Sequence, residues 1–286
     1  MKRRLMALAA ALLALLVLLS CRQKAAAAPS PGPLEADKVN LVFLDVGQGD
    51  STLITFPNGE RLIIDTGPES SRRQVVQQLK ALGIDRVDYL FLTHPHEDHC
   101  GNLGTLVRKF HIKGVYFEGL PADYGSGMVI ARRRGAYCRQ VWGGEAFTFG
   151  EATLRVLSPL PDVYYPEVND GSMVLSLSYG ENQALFMADG TFETEESLLF
   201  TYPRELLQAQ VLKVGHHGSA SSTSEVFLKV VEPEVAVISV GRDNEYKHPT
   251  QEALDRLEAA GCRILRTDLL SGVQIVLDGK QARVVE

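Results

Sequence analysis

From residue 39 onward, apolar positions fall into short runs separated by turn residues, and their period changes along the chain. Residues 40–45, 51–56 and 61–65 have the length and β-branched content of strands. Pro57, Asn58 and Gly59 supply a tight turn between the last two. Residues 71–82 shift to a helical period, with Val75, Val76, Leu79 and Leu82 on one side and Gly83 as a stop. Residues 87–93 are apolar nearly throughout, as expected of a strand covered on both faces. Further on, 152–157, 173–179, 183–187, 211–214, 235–240 and 263–267 predict strands, and 273–285 a closing hairpin. Residues 193–200, 225–230 and 251–260 predict helices. Residues 122–144, with Arg132, Arg133 and Arg134, break the pattern and predict a helix and a loop over one rim. Paired strands followed by helices, twice over, predict an α/β fold. Its form is a four-layer αββα sandwich, two sheets face to face with helices outside, over residues 39–286.

The densest chemistry follows the apolar run 87–92, in Thr93-His94-Pro95-His96-Glu97-Asp98-His99. Only seven histidines occur in 286 residues and three fall here, which argues against a chance His-rich surface loop. Nitrogen and oxygen ligands at this density suit a divalent transition metal such as zinc, with manganese a second choice. The order H-x-H-x-D-H suggests two ions. His94 and His96 lie on one side of an extended segment and can grip the first. Asp98 and His99, from the following turn, can grip the second. Two ions roughly 3.5–4 Å apart can activate a water and polarise a phosphoryl or carbonyl oxygen.

Other residues extend the candidate site. His216 and His217 end a strand, where adjacent side chains point to different sides. One can bind metal while the other meets substrate; His217 is favoured as ligand and His216 as an acid–base residue. His248, before Pro249, is either a structural loop histidine or a donor to a developing oxyanion. Asp98 doubles as a candidate acceptor of the nucleophile's proton. Asp45 and Asp50 flank Gly47-Gln48-Gly49, which reads equally as a structural turn or a substrate contact.

The net charge of −6 is not the basic footprint of a protein that holds nucleic acid through its phosphates. It leaves room for a hydrolase whose metals supply positive charge locally. Residues 1–20 read as a targeting segment: Lys2, Arg3 and Arg4, then an apolar stretch over 5–19, too short to span a bilayer as a helix. Leu18-Leu19-Ser20-Cys21 resembles the lipobox of bacterial lipoproteins. That resemblance implies cleavage before Cys21, lipidation of its thiol and a tether to the outer face of a bacterial membrane. Residues 21–38, rich in Ala and Pro, read as the lipidated Cys and a linker. Cys100, Cys138 and Cys262 form no C-x-x-C and cannot all pair within one chain.

Seven ordered motifs resemble the metallo-β-lactamase-fold hydrolases, and more nearly the soluble domain of ComEC-type DNA-uptake competence proteins. They are Phe43-Leu44-Asp45-Val46-Gly47-Gln48-Gly49-Asp50-Ser51, Ile64-Asp65-Thr66-Gly67, and the His94 cluster. They continue with Asn169-Asp170-Gly171-Ser172, Phe186-Met187-Ala188-Asp189 and Val214-Gly215-His216-His217-Gly218-Ser219, followed by Asn244-Glu245-Tyr246-Lys247-His248-Pro249. The resemblance implies two metals held by His94, His96, Asp98, His99, Asp189 and His217, with Asp189 bridging. It implies that Asp65 supports the cluster by hydrogen bonds. Many such enzymes carry a further His before the bridging Asp; here Asn169-Asp170-Gly171-Ser172 stands in that place, and Asp170 or Ser172 can assist. The implied function is extracytoplasmic, metal-dependent phosphodiester hydrolysis, with DNA as first substrate. The alternatives are a cell-wall phosphodiesterase resembling the phosphorylcholine esterases, and a non-catalytic, lipid-tethered binding protein.

Overall fold

The computed structural model describes residues 31–286. Residues 1–30, including Cys21 and the segment read as a signal, lie outside the described residues.

Two mixed sheets form the centre. The first has the order β15-β14-β1-β2-β3-β4-β5-β6. Its strands are β1 (Val39–Phe43), β2 (Thr52–Thr55), β3 (Arg61–Ile64), β4 (Tyr89–Leu92), β5 (Gly114–Phe117), β6 (Tyr137–Gln140), β14 (Val273–Leu277) and β15 (Ala282–Val284). The second has the order β13-β12-β11-β10-β9-β8-β7. Its strands are β7 (Ala146–Phe149), β8 (Ala152–Ser158), β9 (Val174–Tyr179), β10 (Asn182–Phe186), β11 (Val211–Lys213), β12 (Val235–Ile238) and β13 (Arg263–Arg266). The sheets pack through Phe43, Ile54, Phe91, Leu175, Phe186 and Val237, all buried, with the Phe43 and Phe186 rings 6.1 Å apart.

Helices cover both outer faces. On the first sheet lie α1 (Arg72–Ala81), the single turn α2 (Glu97–Cys100), α3 (Leu103–Lys109) and α4 (Gly125–Arg133). On the second lie α5 (Phe192–Thr201), α6 (Arg204–Leu207), α7 (Glu225–Val231) and α8 (Gln251–Ala259). Val75 and Leu79, one turn apart on α1, are buried against the sheet, as a helical stripe requires. Side-chain oxygens start α7 and α8: Ser224 accepts from Phe227 N–H at 3.2 Å and Thr250 from Ala253 N–H at 3.3 Å. The αββα sandwich expected from the pattern is the fold.

Five elements went unread in the sequence: α3, α6, β5, β6 and β7. The segment 122–144 holds α4, then continues into the edge strand β6 instead of an irregular loop. Residues 33–38, expected as linker, are tied to the domain. Gln274 donates to Pro33 O at 3.3 Å, Asn40 Nδ2 donates to Glu35 O at 2.8 Å, and Glu35 pairs with Arg283. Cys100, Cys138 and Cys262 are all free thiols.

The topology matters because β3∥β4∥β5 in one sheet and β10∥β11∥β12 in the other place their carboxyl ends at the same edge of the sandwich. Loops leaving these ends carry the chemistry, the usual arrangement in α/β proteins.

Candidate metal centre

Asp65 follows β3, His94 to His99 follow β4, Asp189 follows β10, and His216 and His217 follow β11. Three groups of side chains result, each with donor atoms within 4.8 Å of one another: His94, His96 and Asp189, then Asp98, His99, Asp189 and His217, and a fully buried one of Asp50, Asp65 and His99. Asp189 belongs to the first two, each of which has a less buried member. His94 Nε2 and His96 Nδ1 face each other at 3.1 Å. His99 Nε2 is 3.1 Å from Asp189 Oδ1, and His217 Nε2 is 3.2 Å from Asp98 Oδ2. Asp98 and His99 come from the turn that follows, the single helical turn α2, and His99 N–H donates to His96 O at 3.1 Å.

The donor set fits divalent ions on its own evidence. His99 Nε2 and Asp189 Oδ1 are buried and make no hydrogen bond. Such orphaned groups are costly unless something else satisfies them. Their neighbours are imidazole nitrogens and carboxylate oxygens only, the ligands of zinc and similar ions.

The other ring nitrogens are held from behind. His99 Nδ1 lies 2.7 Å from Asp65 Oδ2, and Asp65 also accepts from Thr93 N–H at 2.8 Å and from Thr93 Oγ1 at 2.7 Å. His217 Nδ1 lies 2.8 Å from Ser239 O, beyond the end of β12. Both contacts fix ring orientation and turn Nε2 toward the cluster. Asp65, Ala188, His216 and His217 all have left-handed backbone, with φ of 57°, 49°, 44° and 53°. Such conformations in residues with side chains are costly and cluster at functional sites.

Charge is strongly coupled here. Burial opposes ionisation of Asp189, but His217, His99 and His94 hold its carboxyl well below the usual range. Burial also opposes a charge on His99, yet Asp189 and Asp65 lift it well above an ordinary imidazole. His217 behaves alike: despite burial, Asp189, Asp50 and Asp98 push it up to about 10. Carboxylates thus recruit cationic charge into the cluster, and a divalent ion can supply it in place of protons. Burial and His99 drive His94 well below its ordinary value.

An open cavity of about 580 Å³ reaches the cluster, lined by His96, Asp98, Asn169, Asp189, His216 and His248 among others. His216 stands 3.7 Å from Asp189 Oδ2 and 3.4 Å from Asn169 Nδ2, and belongs to none of the donor groups. His248 faces His216 with ring centroids 5.5 Å apart. Burial, with His216, lowers His248 to about 4. Asp170 is not brought to the cluster: its Oδ1 accepts from Thr191 Oγ1 at 2.5 Å and its backbone O from Thr194, at the start of α5. Ser172 is buried and its hydroxyl has no partner.

Two buried residues were underweighted or missed. Asp50, read equally as part of a structural turn or as a substrate contact, lies 2.5 Å from Lys213 Nζ and 3.4 Å from His217 Nδ1. Burial would raise its pKa, but Lys213 and His217 bring it to about 2. Lys213 gave one signal in the sequence: a charge within the otherwise apolar strand before the two histidines.

A sandwich of this topology with this cluster at its strand ends defines a class, and the sequence comparison agrees: the metallo-beta-lactamase superfamily model matches residues 44–242. The chain belongs to that superfamily. Within it, the chain is similar to competence proteins. It is 32% identical over 263 residues to ComE operon protein 3 of Bacillus subtilis, covering 85% of this chain and 33% of the relative. It is 36% identical over 248 residues to competence protein ComA of Neisseria gonorrhoeae, covering 86% and 33%. The chain therefore spans about a third of the length of these relatives. Among solved structures, the metallo-beta-lactamase fold protein YhfI of Bacillus subtilis aligns with a TM-score of 0.58 at 14% identity. That alignment covers 84% of this chain and 100% of YhfI. Zn(2+)-bound PqqB from Methylobacterium extorquens aligns with a TM-score of 0.56 at 11% identity, covering 79% and 97%. At these identities the likeness is one of fold.

Proposed function

We propose that this chain is a metal-dependent phosphodiesterase that acts on DNA outside the cytoplasmic membrane. The observation that carries the reading is the pair of donor groups joined through Asp189 and open to a cavity. His94, His96 and Asp189 would hold one divalent ion, and Asp98, His99, Asp189 and His217 the other. Zinc is the first choice and manganese the second. Two such ions would lower the pKa of a water toward neutrality and polarise a phosphoryl oxygen.

The chain's own residues do the rest. Asp98, half-buried at the cavity wall, accepts the nucleophile's proton. His216 borders the cavity and can donate toward a leaving oxygen; burial lowers its pKa, and Asp189 partly offsets this. His248 donates a hydrogen bond toward developing charge; its Nδ1 is buried and unpartnered. Asn169 and Ser172 stand where many relatives of this fold place a further histidine, so the ion held by His94 and His96 is the weaker bound.

DNA is favoured as substrate because the motifs resemble those of ComEC-type DNA-uptake proteins, and two relatives are named ComE operon protein 3 and competence protein ComA. A cell-wall phosphodiester is the second reading, favoured by the lipoprotein-like sequence ending in Cys21, which would tether the domain to the outer membrane face. The test is degradation of DNA by the purified protein with zinc or manganese, beside an Asp189→Ala control. Metal-dependent loss of DNA in the parent alone supports the nuclease. Bound metal with no loss of DNA refutes it and turns attention to cell-wall diesters. Bound metal with no turnover on any phosphodiester would favour a binding protein.

A further inference from the structure

Two charged residues are buried between the sheets beside the cluster: Lys213 is 2% exposed and Asp50 is 5% exposed. Alternation along β11 explains the first. Val211 faces the inter-sheet core, Leu212 faces the outer helices, and Lys213 returns to the inner side. An apolar residue would pack there without desolvating a charge, and buried ion pairs are often no more stabilising than apolar replacements. Stability is thus a poor reason for this pair.

Its contacts point elsewhere. Lys213 Nζ lies 2.5 Å from Asp50 Oδ2 and donates to Ala188 O at 3.4 Å. Ala188 is the left-handed residue directly before Asp189. Asp50 Oδ1 lies 3.4 Å from His217 Nδ1 and has no hydrogen-bond partner of its own. Asp50 N–H donates to Asp98 O at 3.1 Å. One ion pair therefore touches the chain at or next to three of the four residues in the second donor group: Asp98, Asp189 and His217. It also joins a loop of the first sheet to a strand of the second.

We infer that Lys213 and Asp50 are positioning residues that assemble the donor group of Asp98, His99, Asp189 and His217 across the two sheets. The inference rests on the metal-centre reading above. Lys213 pins the Ala188 carbonyl, which aims Asp189. It also fixes Asp50, which faces the rear of the His217 ring and holds the backbone of Asp98. The group of His94, His96 and Asp189 shares only Asp189 with this clamp, so the two ions respond differently to its removal.

The test compares the full chain with Asp50→Asn/Lys213→Met, which removes both charges and leaves none unpaired. Circular dichroism reads folding, titration against a chelator reads zinc affinity, and the visible spectrum of cobalt-loaded protein reads the ligand field. The inference predicts a folded variant that binds one ion as the parent does and the other about 10–100-fold more weakly, with an altered cobalt spectrum. Two ions bound with parental affinity and spectrum would overturn it and leave the metal-centre reading intact. A parent that binds no metal overturns both. Should the double variant not fold, Asp50→Asn alone keeps the side chain's size and an acceptor for Lys213, and the same measurements decide.

Discussion

Asp65 Oδ2 sits 2.7 Å from His99 Nδ1, fully buried beneath the metal-ligand cluster, with Thr93 bonded to both of its oxygens. The contact fixes which His99 nitrogen faces Asp189. Asp65→Asn keeps the shape but replaces one carboxylate oxygen by an amide. Zinc affinity should fall about 10–100-fold with the fold retained. Chelator competition beside a circular dichroism spectrum checks this, and parental affinity would exclude the role.

Asp98 and Asp189 should be indispensable to turnover and dispensable to folding. Asp98→Ala and Asp189→Ala are expected to lower metal-dependent phosphodiester hydrolysis by about 1,000-fold or more, given the scale of metal-assisted catalysis. Thermal melts in the presence of chelator should stay close to the parent. Unchanged turnover in both variants would remove the two-ion reading.

Gly49 has φ of 136°, and a Cβ placed there would lie 2.3 Å from Asp98 O. Gly49→Ala must therefore displace the 49–50 turn or α2. The expected cost is about 2–4 kcal/mol in urea unfolding, from backbone conformation and overpacking together. Metal affinity should fall with it, because the displaced atom belongs to Asp98. Normal stability would show that the two loops are free to part.

Metal should stabilise the folded chain. With free zinc at 100 times its dissociation constant, linkage gives about 2.7 kcal/mol per site. Adding a chelator should lower the melting temperature of the parent, and lower that of Asp189→Ala much less. Equal shifts in both would place the bound metal elsewhere.

Glu118 follows β5 and belongs to none of the donor groups; its N–H donates to Leu92 O at 3.3 Å. Burial, with Asp123 adding to it, pushes its carboxyl up to about 7. The folded protein therefore holds this proton more tightly than the unfolded chain does. The stability gained is full below about 4.5 and is lost as pH rises through about 7. Glu118→Gln removes the titration. The two proteins should melt alike near the lower value, and the variant should melt a few degrees higher, roughly 2–4 °C per kcal/mol, above pH 8. Parallel melting curves across pH would refute the burial effect.

What could be read from the chain followed physical periodicity. The apolar strand β4, the helical stripe of α1 and the repeated strand–helix alternation each carry their signal locally. The strands β6 and β7 do not. Tyr137-Cys138-Arg139-Gln140 is a half-exposed edge segment with no apolar run, and only its pairing with β5 makes it a strand. Gly114 begins β5, where a sequence reading places a turn. The helix α3 is short, and its three buried residues give too little periodicity to stand alone.

The same division runs through the site. The sequence by itself determined the ligand inventory, because three histidines and an aspartate within six residues need no tertiary contact to be noticed. It also determined the sandwich, through hydrophobic period. The motif resemblance already implied Asp189 between two ions and Asp65 behind the cluster; tertiary structure alone picked out His99 as the partner of Asp65 and turned Asp170 away to Thr191. It alone joined Asp50 to Lys213. The physical reason is that local sequence fixes which face of a strand or helix a side chain takes. The meeting of two carboxyl-terminal strand edges from different sheets is set by how the sheets pack, and no stretch of sequence encodes that distance.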